Sequence, residues 1–306
     1  MKKKNFKHTA QQHQLQYFSP SQNQSSIPKE KRKGRAQEHW LNEDAAKNGN
    51  IFYFDYNIFE AAQQRRWGRN DTPEWFYDTL RSQHIPFNFF IPLVTEKQLA
   101  ADAINLLLNL KIKEISEIEI EYPAHYKNPL QDRTSFDVFV SYLNEDKEKG
   151  LIGIEVKYTE GGYSPTKTEK EDINNSNSIY YSTTKKSNLY KAEFVPKLKE
   201  NAYRQIWRNH LLAYSFADKN EFKVFTSLTL YHEGNEHFQK AFEVYQSFLS
   251  EEGKTTLKDL TFSKFCVTLA EIAKTMKQKK WVLFLIDRYD IQTDSQVFNQ
   301  LKDTVK

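Results

Sequence analysis

Apolar and polar residues alternate most cleanly between Thr134 and Tyr158, TSFDVFVSYLNEDKEKGLIGIEVKY. Phe136, Val138, Val140 and Tyr142 point one way and Asp137, Phe139 and Ser141 the other, the period-two signature of a strand. Leu151–Tyr158 repeats the pattern: Ile152, Ile154, Val156 and Tyr158 share one face, and Gly153, Glu155 and Lys157 the other. The charged, glycine-ending segment Leu143–Gly150 between them makes a hairpin. If the hairpin is symmetric about Asp146, partner numbers sum to 292 and Asp137 lies across from Glu155. Directly opposed residues share a face, with Cβ atoms about 4.5–5.5 Å apart.

Helical spacing appears elsewhere. Thr95 reads as an N-cap for a helix over Glu96–Leu110, with Leu99, Ala103, Leu106, Leu107 and Leu110 on its apolar side. Ile115–Tyr122 reads as a strand with Glu117, Glu119 and Glu121 on one face. Thr159–Glu193 is a long polar segment, placed to gate a neighbouring site. Pro196 opens a helix to about Tyr214, with Ala202, Ile206, Leu211 and Ala213 inward and Asn201, Gln205, Arg208 and Leu212 on another stripe. Glu221–Tyr231 reads as a strand, His237–Leu249 and Leu257–Met276 as helices, and Trp281–Ile286 as a strand. The aromatic stretch Ile51–Tyr56 fits no element well.

Charge changes this picture mainly at the front of the chain. Residues 1–40 hold nine Lys/Arg against two Glu, whereas the rest is slightly acidic. Residues 1–35, rich in Gln, Ser and Lys, read as a disordered basic tail. Its run Lys29–Arg35 is either a solvated segment or an arm for a nucleic-acid backbone. Residues 36–306 then read as one domain, with a core over about 75–231 and an extension over 232–306. Arg65–Arg69 is either a DNA-contact loop or a solvated turn, and the turn is the better reading.

The single cysteine, Cys266, excludes an intrachain disulfide, reads as a packed core thiol and fits a reducing cytoplasm. No stretch approaches the roughly 20 apolar residues of a membrane span, and Lys2–Lys4 lead into no signal-peptide core. There is no glycine-rich phosphate loop, no C-x-x-C pair and no G-x-S-x-G elbow. His232 and His237 have the wrong spacing for an H-E-x-x-H helix and read as loop residues.

The chemistry therefore centres on Asp137, Glu155 and Lys157. A Glu and a Lys two apart on a strand are commonly a weak pair on a solvated face. Here the strand is apolar throughout, and a buried acid and lysine are costly unless paired or functional. Two close acids repel, and a divalent cation relieves them.

At this point the residues resemble a known family. Asp137 followed by Glu155-Val156-Lys157 is similar to the D…(D/E)-x-K signature of the PD-(D/E)XK nuclease superfamily. Glu119–Pro123, Asp132–Asp137 and Gly153–Glu160, with Ser82-Gln83 and Phe87–Phe90 upstream, resemble a bacterial branch with restriction-endonuclease-like folds, over about Trp75–Tyr214. Phe136 stands where a proline is usual. Gln205 is followed four places later by Asn209, so the branch marked by Q-x-x-x-Y is not indicated.

The resemblance implies an α/β (α+β) fold. Its αβββαβ core would have a mixed central sheet flanked by helices, with N- and C-terminal helical extensions. It implies a metal-dependent DNA endonuclease. Asp137, Glu155 and the carbonyl of Val156 would hold Mg²⁺, with Mn²⁺ as substitute, and Lys157 would orient or activate the attacking water. Glu121, Gln205, Arg208 and Gln83 are additional candidates. The partner would be DNA, with a homodimer left open. The alternative is a non-catalytic protein on the same fold that binds nucleic acid or a partner.

Overall fold

The structure, a computed structural model, describes residues 5–19, 31–32, 35–36, 38–65, 72–123, 127–132, 134–292 and 295–305. Most of the basic run Lys29–Arg35 and all of Arg66–Arg69 lie outside the described residues. In chain order the helices are α1 (Phe6–Tyr17), α2 (Glu43–Lys47), α3 (Ile58–Gln64), α4 (Ile85–Thr95), α5 (Lys97–Leu108), α6 (Lys167–Asn174), α7 (Ile179–Ser187), α8 (Arg204–Lys219), α9 (Glu236–Tyr245), α10 (Glu251–Thr256), α11 (Phe262–Ile272), α12 (Met276–Tyr289) and α13 (Ser295–Val305). The strands are a short ribbon, β1 (Lys31–Arg32) with β2 (Arg35–Ala36), and β3 (Ile112–Tyr122), β4 (Phe136–Asn144), β5 (Lys149–Lys157), β6 (Val224–Tyr231) and β7 (Leu257–Thr261).

The last five strands form one sheet in the order β3-β4-β5-β6-β7. The first three are antiparallel; β6 and β7 join parallel to β5. A parallel neighbour needs a crossover, which α8 supplies between β5 and β6. This is the expected mixed sheet between helical layers, with a fifth strand added.

The hairpin register is the one its sequence predicts. Every β4–β5 pair from Val138–Ile154 to Leu143–Lys149 sums to 292. The two faces of the sheet feed separate apolar clusters. Val138, Val140, Ile152, Ile154 and Val156 pack with α4, α5, α11 and α12. Phe139 and Leu151 pack with Trp207 and Leu211 of α8. Phe136 departs from the predicted alternation and joins Phe139 on the α8 side. It lies over Gly153, where a Cβ would run into its ring, so only glycine allows this approach.

Several expectations are corrected. Within residues 1–35, expected to lack fixed structure, α1 is a helix that buries Ala10 and Gln14. Thr95 closes α4 rather than capping α5, and its hydroxyl donates to the Pro92 carbonyl. The polar stretch after Tyr158 folds into α6 and α7, capped by Thr166 and begun after Ser178. Pro196 lies inside a short 3₁₀ turn, and α8 starts only at Arg204.

Leu257–Thr261 is a strand, and His237 lies in α9. Trp281–Ile286 is helical, within α12. A short apolar run does not separate buried strand from buried helix. Here Trp281, Leu285 and Tyr289 recur at helical spacing, and Thr275 with Gln278 forms a capping box at the start. Asn88 pins the unplaced aromatic stretch: its side chain donates to the Ile51 carbonyl and accepts from the Tyr53 N–H.

Candidate active site

The end of β5 carries Glu155 and Lys157 on the face toward α8. Both are nearly buried, at 7% and 8% exposure, and Lys157 Nζ lies 2.5 Å from Glu155 Oε1. The β4–β5 ladder stops at Val138–Ile154. Beyond it Asp137 continues the pairing with its side chain: Oδ2 accepts from the Val156 N–H at 2.7 Å. The strand end thus aims one carboxylate at the backbone between the other acid and the lysine.

Helix α8 completes the setting. Gln205 Nε2 donates to Glu155 Oε1 at 2.5 Å, and Asn209 Nδ2 donates to Oε2 at 2.9 Å. Residues four apart lie one above the other on a helix, so one stripe of α8 reaches both oxygens. Each is held from a different direction, which fixes the carboxylate's orientation.

The electrostatics follow from burial and proximity. Burial first, then the charge of Glu155, holds the Asp137 carboxyl well above the ordinary aspartate range. Glu121, at the end of β3, is raised by burial and then by Glu155, and its carboxylate accepts from Ser135 Oγ at 3.2 Å. Its backbone is left-handed (φ 56°), a strained conformation for a residue with a side chain. Burial pulls Lys157 down, but Glu155 and Asp137 outweigh it, so the ammonium's pKa is raised.

Asp137, Glu155 and Lys157 are therefore brought together, with Glu121 in their field and Gln205 in contact. Arg208 is not at this site. It faces the segment after Tyr158, where it meets Glu169 at 2.9 Å and Asp132 at 3.0 Å and also donates to Tyr163 and Thr134. Gln83 is exposed and, among the described residues, accepts from Arg81 alone, at 3.4 Å. Its neighbour Ser82 is the one tied in: its N–H donates to Glu160 Oε1 at 2.7 Å, while Glu160 Oε2 accepts from the Tyr158 N–H at 2.9 Å. His232 is buried, its Nε2 2.9 Å from the Tyr289 carbonyl oxygen.

Two contributors were missed in the sequence. Asn209 stands at the fourth place after Gln205, a helical neighbour position where the Q-x-x-x-Y motif would carry a tyrosine. Glu160 carried no periodic signal, because it works through backbone N–H groups.

Among the described residues no three His, Cys, Asp or Glu side chains close on one point at metal-binding distance. What the residues offer is a two-carboxylate set. Mg²⁺ uses such sets, taking one or two carboxylates and keeping several waters. Burial first and then the charge of Glu155 raise Asp137, and the second of these is what a divalent cation would relieve, so the donors suit a divalent ion.

A model of the PD-(D/E)XK nuclease superfamily matches residues 2–290, well beyond the stretch about Trp75–Tyr214 in which the sequence shows the resemblance. No curated protein matches the chain, and no solved structure does.

Proposed function

The chain belongs to the PD-(D/E)XK nuclease superfamily, and on that premise we propose that it is a metal-dependent endonuclease that hydrolyses DNA phosphodiesters. The observation that carries this reading is the hydrogen bond from the Val156 N–H to Asp137. It sets one carboxylate beside the strand that bears Glu155 and Lys157.

In this reading Asp137, Glu155 and the Val156 carbonyl would hold Mg²⁺, with Mn²⁺ as substitute. When bound there, such an ion would supply a lowered water pKa and charge neutralisation at the scissile phosphate. Lys157 orients the attacking water through its ammonium hydrogens and offsets negative charge as the phosphate is attacked. Because the group is nearly buried, its charge acts through little solvent. Gln205 and Asn209 hold the two oxygens of Glu155 in place. Glu160 fixes the chain directly after Lys157 against Ser82. Among the described residues no helix is long and apolar enough to cross a membrane, and the proposed compartment is the cytoplasm.

The test is cleavage of a panel of duplex, single-stranded and branched DNA with Mg²⁺ or Mn²⁺. The wild type is compared with Lys157→Ala and Asp137→Ala, with folding checked by circular dichroism. Metal-dependent cleavage by the wild type alone is expected. Salt-dependent binding without turnover in all three proteins would instead identify a non-catalytic nucleic-acid binder.

A further inference from the structure

On the other side of the sheet from the acid pair, a cavity of about 680 Å³ opens between the end of α1, the loop at residues 50–54 and one face of α12. Its walls are aromatic. Tyr17 and Phe18 form one side; Tyr53, Phe54 and Phe284 form another. The Tyr53 ring lies 4.6 Å from that of Phe54 and 4.9 Å from that of Phe284. Phe54 is 86% exposed, the most exposed large apolar side chain among the described residues. A contiguous apolar surface, not a lone side chain, marks a binding site, and half-buried Tyr17 and Phe284 line the same cavity as Phe54.

Polar groups select what enters. Lys280, Phe284 and Asp287 lie on one face of α12, at positions i, i+4 and i+7. The Asp287 carboxylate is half-buried and has no hydrogen bond or ion pair with any described residue. Burial raises its pKa, countered in part by Lys302 and His13. Lys280 is exposed at the rim. A ligand that satisfies all of this has a flat ring for the walls, N–H donors for Asp287 and a negative charge for Lys280.

We propose that this cavity binds a guanine base of a single-stranded nucleic acid, stacked on the aromatic wall, with its N1–H and N2–H donating to Asp287 and a neighbouring phosphate near Lys280. Guanine alone among the bases presents two adjacent N–H donors to a carboxylate. Thymine flanks its one N–H with carbonyls, and cytosine and adenine offer a single amine. An arginine side chain also has paired donors and stacks on rings, but Lys280 repels it. Helix α1 links the cavity to the catalytic strand. Phe6 at its start packs edge-on against Tyr158, next to Lys157, and Tyr17 ends it at the cavity, about 18 Å away along twelve residues. The proposal rests on the nuclease reading and adds a base preference to it.

The experiment is fluorescence anisotropy with short labelled deoxyoligonucleotides: all-thymine, thymine with one guanine, and the same with inosine, which lacks the N2 amine. Protein carrying Lys157→Ala prevents turnover. Binding about tenfold tighter with guanine than with thymine is expected, with inosine between them. Asp287→Asn and Phe54→Ala, added singly, should each abolish the preference without changing the melting temperature. Equal affinity for guanine and thymine, a preference that survives both substitutions, or displacement of the guanine strand by an arginine-rich peptide at lower concentration overturns the inference. If the wild type cleaves DNA but shows no guanine preference, only this inference fails. If it neither cleaves nor binds any strand, the nuclease reading fails with it.

Discussion

Asn209 donates to Glu155 Oε2 at 2.9 Å, while the opposite oxygen is held by Lys157 and Gln205. The acid is therefore aimed by a helix that follows it by about fifty residues. Replacing Asn209 by Leu keeps the volume and removes the donor. Loss of a hydrogen bond to a metal-ligating group commonly lowers metal affinity or activity by about 10–100-fold. We expect Asn209→Leu to need more Mg²⁺ for half-maximal cleavage and, because Glu155 Oε2 loses a buried donor, to melt at a lower temperature in EDTA. An unaltered Mg²⁺ titration would remove Asn209 from this role.

Asp137 makes the metal-free protein pH-sensitive. Its folded pKa is raised above the unfolded value by burial and Glu155, so the protonated form favours the fold. That stability is complete below the unfolded pKa and is lost as pH rises through the folded one. In EDTA the melting temperature of the wild type should fall relative to that of Asp137→Asn as pH rises above the ordinary aspartate range. Mg²⁺ should raise it for the wild type only. Parallel curves for the two proteins would contradict this.

His210 predicts the opposite slope. Both ring nitrogens are bonded, Nδ1 at 3.0 Å to the Tyr190 hydroxyl and Nε2 at 2.9 Å to Thr256 Oγ1, and burial pulls its pKa down to about 3. The unfolded chain takes up a proton near pH 6.5 that the folded state refuses. Stability is complete above that point and declines as pH falls toward about 3, by up to roughly 1.4 kcal/mol per unit. Urea unfolding at stepped pH should show a shallower decline for His210→Gln than for the wild type.

Glu169 ties the segment after Tyr158 to α8. It accepts from Arg204 and Arg208, both at 2.9 Å, and the Arg204 side chain is only 1% exposed. Removing one partner of a buried pair strands the other charge and costs about 3–5 kcal/mol. Glu169→Ala should lower the urea midpoint accordingly and speed proteolysis between residues 159 and 187. A midpoint within error of wild type would show that the network contributes little.

The buried glutamine of α1 carries a comparable load. Gln14 donates to the Tyr158 hydroxyl at 3.2 Å and to the Arg288 carbonyl at 2.9 Å, and its own oxygen accepts from the buried Arg288 guanidinium. Gln14→Leu leaves that guanidinium without an acceptor among the described residues, so a loss of about 2–3 kcal/mol in unfolding free energy is expected. Calorimetry checks it; unchanged stability would mean that α1 adds little to the fold.

Local pattern was enough for the hairpin, because strand alternation and a polar turn leave one register in which both apolar faces are buried. The 292 register, the shared face of Glu155 and Lys157 and the buried thiol of Cys266 all follow from neighbours in sequence. Pattern failed where an element's type depends on what covers it. Trp281–Ile286 is apolar enough for a strand, but the space beside α11 and α1 is filled at helical spacing. Phe136 crosses to the α8 face because Gly153 leaves room there. Asn209 reaches Glu155 only when α8 packs on β5, and Glu160 reaches Ser82 only when the chain after β5 meets the turn leading into α4. Arg208 reaches Glu169 and Asp132 only when the segments after β5 and before β4 close on α8. Hydrogen bonds between residues far apart in the chain depend on positions set by the whole core, which no local periodicity records.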